Sequence, residues 1–395
     1  MVWQDTKNPL YRQRVEETLG WVLREMLTSG GGFASSLDAD SEHEEGKFYV
    51  WSEAEIDAVL GDHAPLFRRF YDVDAQGNWE GHTILNRLKT PEPADAGTER
   101  ELALCRTLLL QAREKRVRPG LDDKVLADWN GLMIAAMADA GLVFERADWI
   151  ETAGGAFAFI REHMTDPTGR LLHSWRDGRA NHPASVDDYA NLCRAALALH
   201  EATADAAFLN HAREWLDILD RHYWDTAAGG YYFAADDTGG LITRPKTAAD
   251  SAVPAGNGTL IGVLAGLAIL TGDEAYEQRG EAILETFSGE ISRNFFPLAT
   301  LLNHVEMLAT PLQIVLVGEL GNSAFDGLRR AVYSVSLPNR VVITLAPKDA
   351  LPDGHPASGK GVVDGKPTAY VCEGRVCSLP ITDPETLLES LARVR

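Results

Sequence analysis

Three short stretches of the chain collect residue types that can move protons or grip a polyol. The first holds Asp122, Asp123, Lys124, Asp128, Trp129 and Asn130, the second Asp187, Asp188 and Tyr189, and the third Asp250, Ser251 and Asn257. Carboxylates bind hydroxyls or act as general acid and base, and aromatic rings pack on the apolar face of a sugar. On this reading Asp187 and Asp128 are the acid/base candidates. Asp122, Asp123, Asp188, Asn130 and Asn257 would orient a substrate, while Trp129 and Tyr189 would stack on it. Asp and Asn are also good helix N-caps, and capping alone explains any single one of them. It explains less well why successive caps combine Asp or Asn with Trp or Tyr.

Other ionisable residues carry weaker signals. The acidic run from Ser35 to Trp51 lacks the ordered spacing of a calcium loop. Its Glu42 and Glu44 read as a solvated turn, whereas Asp38 and Asp40 follow a glycine turn and could reach the mouth of a helical barrel. His304 could serve as a base for sugar epimerisation, against the alternative of a hydrogen-bonded core histidine. The 11 histidines form no HxxxH or HxH pair, so no metal site is expected, and no cofactor signature is present. Motifs of the GxGxxG, Walker A and GxSxG types are absent. Cys372 and Cys377 read as two reduced thiols or an occasional disulfide, and Cys105 and Cys193 as buried bystanders.

A repeated helix supplies the scaffold for these clusters. Segments from Leu10, Trp149, Phe208 and Tyr276 each open on an aromatic residue and carry apolar residues at helical spacing. The first three lead into glycine turns at Ser29–Leu37, Asp166–Trp175 and Ala227–Ala234, each followed by a short strand-like piece. Partner helices from Asp128, Asp187 and Ala255 are nearly apolar all round, and each precedes its successor by 21 residues. Inner helix, turn and outer helix, repeated, is the unit of a toroid. The fold expected is therefore mainly α: an (α/α)6-type toroid, incomplete at the N-terminus, spanning 1–310 with an insertion at about 38–120. Residues 311–395, with strand, helix and strand in sequence, are expected to form a small C-terminal α/β segment.

Composition narrows the partners. A net charge of −21 disfavours nucleic acid and anionic membranes. No apolar run approaches the roughly 20 residues that span a bilayer. Few cysteines and no signal-peptide layout give a cytoplasmic expectation.

Several stretches carry a resemblance to a known family: GGGFASSLDADSEHEEGKFYVW, DDKVLADWNGLMIAA, SWRDGRANHPASVDDYANL, LITRPKTAADSAVPAGNGT and AYVCEGRVCSLPITDPETL. Together with GNWEGHTILNRL they make the chain resemble thioredoxin-domain proteins related to spermatogenesis-associated protein 20. The resemblance implies a barrel like that of the six-hairpin glycosidases and N-acylglucosamine 2-epimerases, preceded by a thioredoxin-like domain that this sequence is read as lacking. It leaves two functional expectations. One is a carbohydrate-active or carbohydrate-binding barrel, a glycosidase or sugar epimerase. The other is a non-catalytic scaffold for a thioredoxin-like partner.

Overall fold

The chain opens on helices α1 (Val2–Thr6) and α2 (Pro9–Trp21), the latter running into a π-helical turn at Val22–Met26. The computed structural model describes residues 1–394. It divides into one unit of Asn8–Trp21 with Ala34–Asp123, and a larger one of Met1–Lys7, Val22–Phe33 and Lys124 onward.

The smaller unit holds β1 (Ala34–Leu37), the β2–β3 hairpin (Asp40–Ser41, Glu44–Glu45), α3 (Glu53–Leu60), α4 (Ala64–Tyr71) and α5 (Ala96–Arg113). Ser52 and Glu55 start α3 with a reciprocal capping box, and Asp95 caps α5. Trp51, Ile56, Phe67, Tyr71, Leu102 and Leu109 form its own apolar core.

From β4 (Leu121–Leu126) the larger unit runs as helical hairpins. They are α6 (Ala127–Phe144) with α7 (Ala147–His163), α8 (Val186–Thr203) with α9 (Ala206–His222), and α10 (Gly256–Thr271) with α11 (Glu274–Arg293). The row ends on α12 (Ala299–Ala309). Inner helices pack in the order α6, α8, α10, α12, and each outer helix packs on its own partner. This mainly-α array is that of an (α/α)6-type toroid, with three closed hairpins and half of a fourth. The sequence explains the division: α10 is buried from Gly256 through Leu267, whereas amphipathic α9 buries only one stripe around Trp215 and Leu219. Glycine allows the closest approach, since a Cβ on Gly262 would lie 2.5 Å from the His304 ring.

The glycine turns differ from the expected strands in one case. Ala34–Leu37 and Leu172–Arg176 (β5) are strands, but Ala227–Ala234 has only an isolated bridge between Trp224 and Tyr231. Asn257 bonds both backbone groups of Tyr231. Strand β5 pairs with β6 (Arg179–Pro183), a hairpin that the sequence reading did not anticipate.

After α12 come β7 (Leu312–Val317), α13 (Ser323–Tyr333), β8 (Arg340–Leu345), β9 (Thr368–Glu373), β10 (Val376–Cys377) and α14 (Pro384–Arg393). Strands β7 and β8 are parallel, as their helical crossover requires, in a sheet of order β10-β9-β7-β8. Cys372 and Cys377 are opposed in the β9–β10 hairpin and joined by a disulfide, while Cys105 and Cys193 are free and buried. No helix among the described residues is long and apolar enough to cross a membrane.

Candidate functional site

The N-termini of the inner helices bring a carboxylate cluster together, centred on Asp188. This residue closes a capping box at the start of α8: its Oδ2 accepts from the Ser185 N–H at 2.7 Å and the Ser185 hydroxyl at 2.8 Å. Its Oδ1 accepts from the Asp128 backbone N–H at 3.0 Å and lies 2.9 Å from His173 Nδ1. Asp188 is fully buried, so one side chain ties the start of α6, the start of α8 and strand β5 together.

Asp128 and Asp187 flank it. Asp128 is 8 % exposed, its Oδ1 accepts the Trp129 N–H at 2.8 Å, and burial, then the charge of Asp188, pushes its carboxyl up to about 6. Asp187 is half-buried and its Oδ1 accepts the Gly256 N–H at 2.7 Å. Burial is again the main cause that raises it to about 6, with the charges of Asp188, Asp128 and Asp250 adding to it. Asp250 holds the next two helices, accepting from Ala255 N–H at 2.9 Å and Thr300 N–H at 2.8 Å. The Trp129 ring stands 42 % exposed next to Asp128.

Two residues behave differently from their sequence assignment as substrate contacts. Asn130 accepts from Phe33 N–H and donates to the carbonyls of Phe33 and Leu126, and Asn257 does the same with Tyr231 and Thr247. Both are 1 % exposed, with the side-chain carbonyl and both amide hydrogens turned to backbone. The repeat-equivalent Tyr189 is fully buried, edge-on to Tyr223, and its hydroxyl accepts the Leu171 N–H at 3.0 Å. Position for position, these three clamp the three glycine turns. A buried Tyr189 offers no face for stacking.

His304 lies on α12 below the cluster, its Nδ1 2.9 Å from the Gly258 carbonyl, and burial lowers its pKa. Asp38, Asp40, Asp122 and Asp123 belong to the smaller unit. There Asp38 and Asp40 are exposed, and Asp38 Oδ1 accepts the Asp40 N–H at 3.1 Å in a local turn.

His173 escaped the sequence reading. Its pKa is raised, chiefly by the hydrogen bond to Asp188. It sits in SWRDGRANHPASVDDY just upstream of α8, but only the β5–β6 hairpin turns it back onto Asp188. Asp128, His173 and Asp188 place ligand-type atoms within 4.8 Å of one another, a grouping that could hold a metal ion. The Asp188 oxygens are nonetheless occupied by hydrogen bonds from Ser185 and Asp128 and by His173.

No protein-family profile matches the chain. Among characterised sequences it is homologous to spermatogenesis-associated protein 20 of Homo sapiens, with 30 % identity over 97 % of this chain and 55 % of the relative. An uncharacterized protein of Caenorhabditis elegans is 26 % identical over 93 % of this chain and 55 % of its own length. The chain thus spans about half the length of the curated relatives it matches. Similar solved structures include cellobiose 2-epimerase from Spirochaeta thermophila, with TM-score 0.37, 21 % identity and coverage of 43 % of this chain and 45 % of that one. A GH76 α-mannanase of Bacteroides thetaiotaomicron gives TM-score 0.42 and 15 % identity over 84 % of both chains.

Proposed function

We propose that this chain is a carbohydrate-active barrel in which Asp128 and Asp187 act as an acid/base pair, in glycoside hydrolysis or sugar epimerisation. The observation that supports it best is two desolvated carboxyls, each raised to about 6, on neighbouring inner helices around a third, buried carboxylate. Two interacting groups near the same value lose their protons in separate steps, so close to pH 6 one is protonated and the other ionised. A protonated carboxyl gives its proton to a leaving oxygen while a carboxylate takes one from water or from a carbon-bound position. The exposed Trp129 ring supplies an apolar face for a sugar, and His173 holds the Asp188 side chain that sets the spacing.

A second reading is a non-catalytic scaffold for a thioredoxin-like partner. It is favoured by the clamping roles of the buried Asn130, Tyr189 and Asn257, and of Asp250, whose two carboxylate oxygens each accept a backbone N–H. Proton NMR of anomeric signals from a panel of mono- and disaccharides separates the two. New signals that vanish in Asp187→Asn and Asp128→Asn support the enzyme, and an unchanged panel sinks it.

A further inference from the structure

Below the carboxylate cluster lies a cavity of about 220 Å³, lined by Asp139, Arg194, Thr259, His304 and Arg340 over a floor that includes Gly262 and Met307. Arg194 follows Asp187 by two helical turns of α8, or roughly 10 Å along the axis. Thr259 is one turn beyond Gly256, which binds Asp187, and His304 is one turn beyond Thr300, which binds Asp250. The cavity is therefore built on the same inner helices as the cluster above it.

Its hydrogen-bonding inventory is out of balance. Arg194 is half-buried in the cavity wall with no hydrogen bond or ion pair among the described residues. The other arginines of this unit without an acceptor, Arg179, Arg213, Arg221, Arg293 and Arg375, are exposed, where water serves them. Thr259 is 1 % exposed and its Oγ1 has no partner, and the buried Nε of Arg340 also has none. A buried donor left unmade costs about 1–3 kcal/mol; the Thr259 hydroxyl and the Arg340 Nε are two such groups, and Arg194 lines the same cavity without a protein acceptor.

The acidic residues in the wall do not absorb them. Glu201 is taken by the Tyr333 hydroxyl at 3.1 Å and Arg340 Nη2 at 3.4 Å. Asp139 is exposed and lines the cavity without a hydrogen bond or ion pair to Arg194 among the described residues; desolvation raises its pKa, and the charges of Arg340 and Arg194 oppose that rise. A forked guanidinium with a hydroxyl and a second guanidinium N–H beside it matches a carboxylate or phosphate.

We propose that this cavity binds the anionic group of an acidic sugar, a carboxylate or a phosphate, with Arg194 as the recognising residue. The sugar part rests on the function proposed above; the anion part stands on the cavity alone. Calorimetric titration of the whole chain with D-glucuronate, D-glucose 6-phosphate and D-glucose tests it. At least one acidic sugar is expected to bind tenfold or more tightly than glucose, and which one does so tells carboxylate from phosphate. Arg194→Gln should erase that preference at an unchanged melting temperature, and Arg194→Lys should keep part of it. Thr259→Val, which removes one hydroxyl at constant shape, should weaken the acidic sugar severalfold and serves if Arg194→Gln does not fold. Equal binding of glucose and both acids overturns the proposal, as does a preference that survives in Arg194→Gln, which would place recognition of the acid elsewhere. Acid preference without turnover leaves this site standing and removes the enzyme, while Asp187-dependent turnover without acid preference does the reverse.

Discussion

At the scale of single residues, the raised carboxyls make a signed prediction about pH. Asp128 stands at about 6 in the fold against an ordinary 3.8, so between those values the folded state binds more protons than the unfolded one. Stability therefore falls as pH rises from about 4 through about 6. Asp128→Asn removes that penalty while still accepting the Trp129 N–H. The variant should be more stable than the parent at pH 8 by about 1–3 kcal/mol, with the gain gone at pH 4, in urea melts at both pH values. If the parent turns over a sugar, its rate should follow a bell centred near pH 6, and Asp128→Asn should remove the bell. His173 titrates in the opposite sense: its raised pKa gives stabilisation that is fully present below 6.5 and lost as pH rises through the folded value. His173→Gln should cost on the order of 1 kcal/mol at pH 5.5, allowing for the partial exposure of the ring, and less at pH 8. Melts that respond equally at both pH values would contradict that assignment. The Asp types were legible in the sequence because their spacing recurs with the helices. His173 was not, because its partner is chosen by a hairpin rather than by periodicity.

At the scale of elements, the repeat-equivalent position two residues after Asp128, Asp187 and Ala255 turns out to be a clamp. Its equivalence was readable from the 21-residue spacing, but its role was not. The groups it holds lie 97, 18 and 26 residues upstream, at Phe33, Leu171 and Tyr231. A side chain near a helix start looks the same in sequence whether it faces a ligand or a loop. Asn257→Ala should leave the Tyr231 N–H and two carbonyls unpaired in a dry interior, destabilising the fold by about 2–4 kcal/mol. Tyr189→Phe orphans the Leu171 N–H and should cost about 1–3 kcal/mol. Hydrogen exchange at Tyr231 and Leu171 checks each: the amide named should exchange faster in its own variant and not in the other. Neither change should alter sugar binding, since both side chains are buried away from a substrate.

At the scale of the whole molecule, helical periodicity revealed the inner and outer helices, and the parallel β7–β8 pair followed from strand, helix and strand in succession. What periodicity could not supply was pairing between segments too short to repeat, such as β5 with β6, or the Cys372–Cys377 bond that register across a two-residue strand decides. Nor could it show that the stretch between the first glycine turn and α6 has a core of its own. Leu102 is fully buried there, in one apolar cluster with Ile56, Phe67 and Leu109. Leu102→Ala should cost about 2–5 kcal/mol by opening a cavity in that core. Because the contacts it loses belong to α3, α4 and α5, amide protection should fall in those helices by the matching factor. Protection in α6, α8 and α10 should stay at its parent level. Hydrogen exchange with mass spectrometry reads both sets in one experiment. Parallel loss in the inner helices would mean that the two cores melt as one cooperative body. Loss confined to α3–α5 would mean that the array stands without them, and that its carboxylate cluster can be studied apart from the smaller unit.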